Sequence, residues 1–183
     1  MTKASMKAAR LFWIGALAVI AFVAMVPAAH AQGEVQNITV GGHVGFVVPW
    51  VTHSNGQTTT QFDQYNLGFP VGVTLKGQGH FAVDLEMIPF VSQRPHEATL
   101  VVDPGVLYGM NHGITLGLRA AFSVNSSQVG FIPLVNKSWK FKNQGGFFKA
   151  YFVEADMPVQ FSRPTGAPAS NSVTFATHFG LGF

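Results

Sequence analysis

The chain lacks cysteine, has few charged residues and carries no cluster of Lys and Arg beyond residue 31. Without cysteine there is no disulfide framework, so another source of order must hold the folded domain together. Without a basic stripe there is no phosphate-binding surface, which excludes nucleic acid as a partner. No Gly-rich loop leads from a strand into a helix, so a nucleotide site of that type is excluded too.

The N-terminal segment has the pattern of a secretory signal peptide. Its apolar run is flanked by basic residues and by a small-residue cleavage site: Lys3, Lys7, Arg10, Leu11 to Val26 and Ala29-His30-Ala31. A membrane-spanning helix needs about 20 apolar residues, and this run is shorter. We therefore predict that residues 1–31 are a cleaved signal peptide and that residues 32–183 form the exported domain. Cleavage removes three of the 11 basic residues, which leaves eight against eight acidic ones and a net charge near zero.

The rest of the chain alternates apolar with small or polar residues, which is the period of a β-strand with two different faces. This alternation predicts eight strands. They cover Ile38–Trp50, Tyr65–Leu75, Phe81–Met87, Leu100–Met110, Ile114–Val124, Val129–Phe141, Phe147–Phe161 and Val173–Phe183.

The composition of the polar face indicates which face points outward. In a soluble lipocalin-like barrel that face meets water and carries many Lys and Glu. Here Gly, Ala, Ser, Thr and Asn dominate it, and only 10% of all residues are charged. A narrow, filled lumen explains this composition better, so the apolar face is expected to face lipid. The predicted fold is all-β: an eight-stranded antiparallel up-and-down transmembrane barrel, with the soluble barrel as the alternative.

Apart from lysines near the periplasmic end, such as the outward-facing Lys137 and Lys149, the few charged residues of the strands share the inward face. We predict a polar cluster in the lumen, made of His43, Asp84, Glu86, Asp103, Arg119, Glu154, Asp156 and His178. Pairing about the turn centres places Asp103 directly opposite Arg119 as an ion pair. The same pairing about the centres of the other connections places Glu86 opposite Asp103, Arg119 opposite Leu134, Leu134 opposite Glu154, and Glu154 opposite His178.

The connections and prolines complete the strand prediction. Short turns at 76–79, 110–113 and 142–146 are expected on the periplasmic side, and longer loops at 51–61, 91–98 and 162–170 on the outer side. Aromatic residues then fall at both rims, as in membrane barrels. Six prolines lie within predicted strands or just beyond their ends, where each removes a hydrogen-bond donor: Pro49, Pro70, Pro89, Pro104, Pro133 and Pro158. We expect bulges or rim kinks at these positions.

No local pattern predicts catalysis, a metal or a cofactor. The seven histidines and the scattered carboxylates show no metal-ligand spacing. His53-Ser54-Asn55 invites comparison with the His-x-Ser-Asn signature of outer-membrane lipid A deacylases. Here His and Ser are adjacent, so they would lie on opposite faces of a strand, which argues against that activity. We therefore predict no catalytic, cofactor-binding or metal-binding residue.

The chain ends on Phe183 after a strand that places Phe179 and Leu181 on the same apolar face. With the leader and the eight strands, this ending resembles the small eight-stranded outer-membrane barrels of OmpA/OmpX type over residues 32–183. The resemblance implies location in the bacterial outer membrane, contact with its lipids and lipopolysaccharide, and a C-terminal strand that the barrel assembly machinery recognises through Phe179, Leu181 and Phe183. It implies a monomeric, non-catalytic protein with a structural or surface-interaction role. The alternatives are a small-solute pore and a lipid A-modifying enzyme.

Overall fold

In the computed structural model the chain forms a closed, eight-stranded antiparallel β-barrel. The structure describes residues 38–183 except 94–96, 125, 144, 164 and 167, so the predicted signal peptide and cleavage site lie outside the described residues. Its eleven strand segments are β1 (Thr39–Ser54), β2 (Gln57–Thr60), β3 (Asn66–Gly68), β4 (Val71–Lys76), β5 (Phe81–Ser92), β6 (Glu97–Gly109), β7 (Ile114–Ser123), β8 (Gln128–Lys140), β9 (Ala150–Asp156), β10 (Val159–Ser162) and β11 (Ser170–Gly182). Within these residues, no helix has the length and apolar character needed to cross a membrane.

Eleven segments make eight barrel strands because two of the strands are interrupted. The second barrel strand consists of β2, β3 and β4, and the seventh consists of β9 and β10. The barrel closes where β1 pairs with β11 from His43 opposite Gly182 to Ser54 opposite Ser172. Closure leaves no long edge strand unpaired.

The predicted alternation of faces is confirmed along the barrel strands. In β5, for example, Phe81, Val83, Leu85 and Met87 are exposed while the residues between them are buried. The interior holds two small apolar clusters, Val47, Ile88 and Ala176 in one and Val101, Ala121 and Ile132 in the other, and Phe90 packs against both. Most of the remaining buried side chains are polar or charged.

The six prolines coincide with irregularities of the hydrogen-bond ladder. Pro49 lies at the one register shift of the β1–β11 pairing. Pro70 separates β3 from β4, and Pro158 separates β9 from β10. Pro89 and Pro133 face these two breaks, since their carbonyls accept hydrogen bonds from Phe69 N at 2.9 Å and Met157 N at 3.1 Å.

Pro104 lies where the β6–β7 pairing is interrupted between Val102 and Gly105. At every proline except Pro49 the pairing resumes in the same register. The expected bulge therefore occurs only at Pro49, while elsewhere the barrel tolerates proline by omitting single ladder bonds.

Two of the three predicted long loops are wrong, because the strands continue into 51–61 and 91–98. The third, at 162–170, is confirmed, since β10 ends at Ser162 and β11 begins at Ser170. The segment 51–61 forms a hairpin of β1 and β2, and its turn is Asn55-Gly56, with φ of 50° and 77°. Both residues adopt the left-handed conformation that a two-residue hairpin turn requires. The connections at 93–96 and 124–127 have only four residues each, and the longest connection, 141–149, lies on the side predicted to have short turns. Loop length therefore does not orient this barrel.

Past that hairpin, Asp63 caps a tight turn. Its carboxylate accepts hydrogen bonds from Thr60 Oγ1 at 2.7 Å and from Thr60 N at 2.8 Å. These hydrogen bonds lower the pKa of Asp63, because they stabilise the ionised form. We call this end of the barrel the hairpin rim, and the opposite end, which carries Phe183, the terminal rim.

The predicted strand pairings are correct at two places and wrong by two residues at three. Glu86 pairs with Asp103, and Glu154 with His178, as predicted. Arg119 lies opposite Gly105 and Ile132 instead of Asp103 and Leu134, and Leu134 lies opposite Asp156 instead of Glu154. The β6–β7 turn explains the first error. His112 and Gly113 have φ of 62° and 73°, which centres the turn on His112 and moves every partner by two residues.

Aromatic side chains pair at both rims, as the strand pattern predicts. Trp139 stacks on Tyr151 at 5.2 Å at the terminal rim, and Phe131 lies 6.4 Å from Phe161 towards the hairpin rim. Phe183 stacks on Phe147 at 4.8 Å and exchanges two backbone hydrogen bonds of 2.9 Å with Gly42. Its ring covers Gly42, where a side chain would collide with it. The last residue is thus part of the closing β1–β11 seam.

Candidate functional site

The buried charged residues and histidines of the strands form one layer across the middle of the barrel. The structure buries all eight side chains that the sequence placed in the lumen: His43, Asp84, Glu86, Asp103, Arg119, Glu154, Asp156 and His178. Apart from Thr174, these are the buried polar residues of the part of the chain that the structure describes. We call this group the charged layer.

Arg119 holds the layer together from β7. Its Nε donates to Asp84 Oδ2 at 2.9 Å, and its Nη1 donates to Glu154 Oε1 at 2.7 Å and lies 3.2 Å from Glu86 Oε2. Asp84 and Glu86 are on β5, whereas Glu154 is on β9. A single guanidinium therefore connects carboxylates from strands on both sides of it, and charge-assisted bonds of this kind are about twice as strong as neutral ones.

One histidine and two uncharged side chains complete the hydrogen bonds of these carboxylates, and a second histidine lies just beyond hydrogen-bond distance of Glu86. His43 Nε2 lies 2.8 Å from Glu86 Oε1, and His178 Nδ1 lies 3.6 Å from the same oxygen. Thr74 Oγ1 donates to Asp84 at 2.6 Å, and Asn136 Nδ2 donates to Glu154 Oε2 at 3.0 Å. This half of the layer is well satisfied, as buried ionic groups need to be.

The predicted ion pair between Asp103 and Arg119 is wrong. Gly105 lies opposite Arg119, and both carboxylate oxygens of Asp103 lack a hydrogen-bond partner among the described residues. Asp156 Oδ1 and His178 Nε2 also lack one. More than nine in ten buried backbone groups, and most buried side-chain polar atoms, have a partner in native proteins, so three such groups in one layer form an unusual cluster.

The charged layer divides the lumen into two cavities. The hairpin-side cavity, of about 410 Å³, is bounded by Asp103, Asp156 and His178 and extends to Ser54 and Ser170 at the strand ends. The terminal-side cavity, of about 190 Å³, is bounded by His43, Asp84 and Glu154 and extends to Ser138 and Gly182. Arg119 borders both cavities.

Two inward glycines make room for the layer, and sequence patterning did not identify them. A Cβ on Gly72 would lie 2.1 Å from the His43 ring, and one on Gly105 would lie 2.5 Å from Arg119 Cγ. Each glycine is directly opposite the bulky polar residue that it accommodates. The sequence pattern shows only that each glycine lies on the inward face. Which side chain it accommodates depends on the register of the neighbouring strand.

Three residues of the layer are close enough to share one metal ion. Glu154, Asp156 and His178 each offer a ligand atom, and these atoms lie within 4.8 Å of one another. Glu154 and Asp156 are two apart on the inward face of β9, and His178 lies opposite Glu154 on β11. Local spacing could not reveal this group because the histidine comes from a different strand.

The His53-Ser54 pair is not assembled as a catalytic dyad. His53 Nδ1 lies 3.0 Å from Thr58 Oγ1, whereas Ser54 Oγ donates to Asn171 O at 3.1 Å. The two side chains therefore contact different neighbouring strands, as expected for adjacent residues of a β-strand.

Comparison with known proteins adds no identification: the chain matches no family model, no curated protein and no solved structure.

Proposed function

We propose that this chain is an integral outer-membrane β-barrel whose apolar exterior faces lipid and whose lumen is closed by the charged layer, with a non-catalytic role in envelope integrity or surface interaction. The observation that carries the proposal is the inverted distribution of side chains, with charges buried inside and large apolar residues exposed outside. In water such an exterior would be an aggregation liability, whereas lipid solvates it.

The exterior has the chemistry and the dimensions that a bilayer requires. Leu85, Leu118, Val135 and Phe175, on four different strands, are 47%, 55%, 51% and 51% exposed. The uninterrupted strands β5, β6, β7, β8 and β11 have 12, 13, 10, 13 and 13 residues. A tilted transmembrane strand needs about 9–11 residues. Lys137 faces outward at the terminal rim, where its ammonium contacts His112 O and lies 5.4 Å from the Trp139 ring centroid.

The interior argues for a closed barrel and against the pore alternative. At eight strands, side chains are just able to fill the lumen. Here Arg119 ties β7 to β5 and β9, and the cavities on its two sides are separate. A continuous wet path would require these buried ion pairs to break, which is costly.

The same interior argues against a soluble, lipocalin-like binding barrel. Such a barrel would place apolar side chains inward and charged ones outward, and this interior contains five buried carboxyl groups. The lipid A deacylase alternative has no supporting geometry, because the His53 and Ser54 side chains contact different strands.

We also propose that the C-terminal strand is the element recognised during membrane insertion, through Phe179, Leu181 and Phe183. Phe179 stacks on Phe46 at 5.3 Å across the β1–β11 seam, and Phe183 ends that seam. A factor that binds this strand would therefore hold the strand whose pairing with β1 closes the barrel. Self-closure by β1 and β11 leaves no free edge for a second copy, which favours a monomer.

The test combines cell fractionation with planar-bilayer recording. The full chain, expressed in a Gram-negative host, is expected in the outer-membrane fraction, and its folded form should migrate differently from the boiled form in gels. The purified protein should show no stable unitary conductance of general-porin size. A soluble periplasmic pool would contradict the membrane location, and a steady large conductance would contradict the closed lumen.

A further inference from the structure

The floor of the hairpin-side cavity carries buried polar atoms without hydrogen-bond partners. Asp103, Asp156 and His178 are 0%, 6% and 1% exposed, and each has at least one polar atom without a hydrogen-bond partner among the described residues. All three border the same cavity. Because buried polar atoms normally have a partner, the missing one is expected to come from the cavity side.

The charges of the layer identify the sign of that partner. Five buried carboxyl groups, Asp84, Glu86, Asp103, Glu154 and Asp156, surround Arg119, His43 and His178. Even with both histidines protonated, three cationic groups face five carboxylates, which leaves two negative charges in a buried site. Uncompensated buried charge is strongly unfavourable, so the layer takes up either protons or a cation, and a cation with two charges balances it with all five carboxyl groups ionised.

The spacing of three of these groups fits a single ion. His178 Nδ1 lies 3.5 Å from Glu154 Oε1, and about 3.4 Å separates two ligands of a tetrahedral metal with bonds of about 2.1 Å. Asp156 supplies the third ligand atom, within 4.8 Å of the other two. Arg119 and Asn136 hold the Glu154 carboxylate in place, as outer-shell partners do at metal sites.

We propose that Glu154, Asp156 and His178 bind one divalent transition-metal cation of the Zn²⁺ type within the charged layer, where Asp156 and His178 line the hairpin-side cavity and Glu154 lines the terminal-side cavity. An imidazole with two carboxylates suits Zn²⁺ and its neighbours better than Ca²⁺ or Mg²⁺, which prefer oxygen ligands alone. The cavity supplies both an entry path from the hairpin rim and space for a water ligand at the fourth position. The site requires only the folded barrel and does not depend on where the barrel resides.

The first test measures binding to the unaltered protein. Untagged protein is purified in detergent from cells that express the full chain, stripped with EDTA and titrated with Zn²⁺. One Zn²⁺ per chain is expected, with little competition from excess Mg²⁺. Substoichiometric binding, or displacement by equimolar Mg²⁺, would overturn the proposal without reference to any variant.

The second test uses matched variants. His178→Gln and Asp156→Asn should each weaken Zn²⁺ binding by about 100-fold or more, since loss of an outer-shell partner alone costs about 10–100-fold. The controls are His53→Gln and Asp63→Asn, which alter an exposed histidine and an exposed aspartate at the hairpin rim. Unchanged affinity in His178→Gln, or an equal loss in His53→Gln, would show that the metal binds elsewhere.

Should the two variants fail to fold, Co²⁺ titration of the unaltered protein provides the same decision. A stoichiometric visible absorption band that Zn²⁺ displaces is expected for a site with nitrogen and oxygen ligands. Its absence at saturating Co²⁺ would overturn the proposal.

Discussion

The charged layer presents two different faces to the two cavities. On the terminal side, His43 pairs with Glu86, and Asp84 receives hydrogen bonds from Thr74 and Arg119. On the hairpin side, both oxygens of Asp103, one oxygen of Asp156 and one nitrogen of His178 have no partner among the described residues. The polar atoms of the terminal-side face thus have hydrogen-bond partners within the protein, whereas those of the hairpin-side face need partners from the hairpin-side cavity.

This difference separates what holds the barrel together from what the barrel can bind. The network around Arg119 joins strands β5, β7 and β9, so it stabilises the fold. The residues of the hairpin-side face contribute charge without a compensating bond, so they cost stability in the absence of a ligand. Substitutions on the two faces should therefore have effects of opposite sign.

The largest effect is expected at the centre of the satisfied face. Arg119→Ala should lower the free energy of unfolding by about 3–5 kcal/mol, because it leaves buried carboxylates without their cation. Urea unfolding of the detergent-refolded protein measures this change. The matched control is Arg163→Ala, which removes an exposed arginine near the hairpin rim and should change stability by less than about 0.5 kcal/mol. Equal unfolding midpoints for the two variants would show that the network is not stabilising.

A smaller effect distinguishes the two faces directly. Asp84→Asn should lower the free energy of unfolding by about 1.5–3 kcal/mol, because it weakens hydrogen bonds to a charged group. Asp103→Asn should leave stability unchanged or raise it, since its carboxylate has no partner to lose. Both are measured in EDTA, so that no metal contributes. A greater loss from Asp103→Asn than from Asp84→Asn would reverse the assignment of the two faces.

The smallest of these effects tests the room made for His43. Gly72→Ala places a methyl group against the His43 ring and should cost about 1–3 kcal/mol, as overpacking usually does. Gly77→Ala is the control, because no atom of another residue lies within 4 Å of its added Cβ. Equal unfolding midpoints for Gly72→Ala and Gly77→Ala would mean that His43 can leave Glu86 without cost.

The sequence predicted the strands and their faces because both depend on neighbouring residues. Alternation placed Glu86, Arg119 and Glu154 on the inward side without any knowledge of the fold. Pairing across strands was less accurate. The backbone conformation at His112 and Gly113 decides where one turn is centred, and an error of one residue there shifts partners by two.

The structure of the site depended on information that no single strand contains. Arg119 reaches Asp84 and Glu154 from two strands away on either side, beyond nearest-neighbour pairing. The residue directly opposite Arg119 is Gly105 and not Asp103, and the Asp103 carboxylate has no hydrogen-bond partner among the described residues. The hairpin at Asn55-Gly56 is predictable from sequence, since Asn-Gly between alternating strands is a strong turn signal, and the prediction of a loop at 51–61 neglects that signal.

The exposed apolar face is proposed to contact lipid, and the absence of cysteine makes this contact directly measurable. Single cysteines at Leu85, Leu118 and Phe175 on the outer face, and at Asn55 and Gly77 in the turns, are spin-labelled in protein reconstituted into bilayer vesicles. If the face contacts lipid, the three outer-face labels will be accessible to oxygen and shielded from a water-soluble nickel chelate, while the turn labels will show the reverse. Outer-face labels as accessible to the chelate as the turn labels would show that this barrel resides in water.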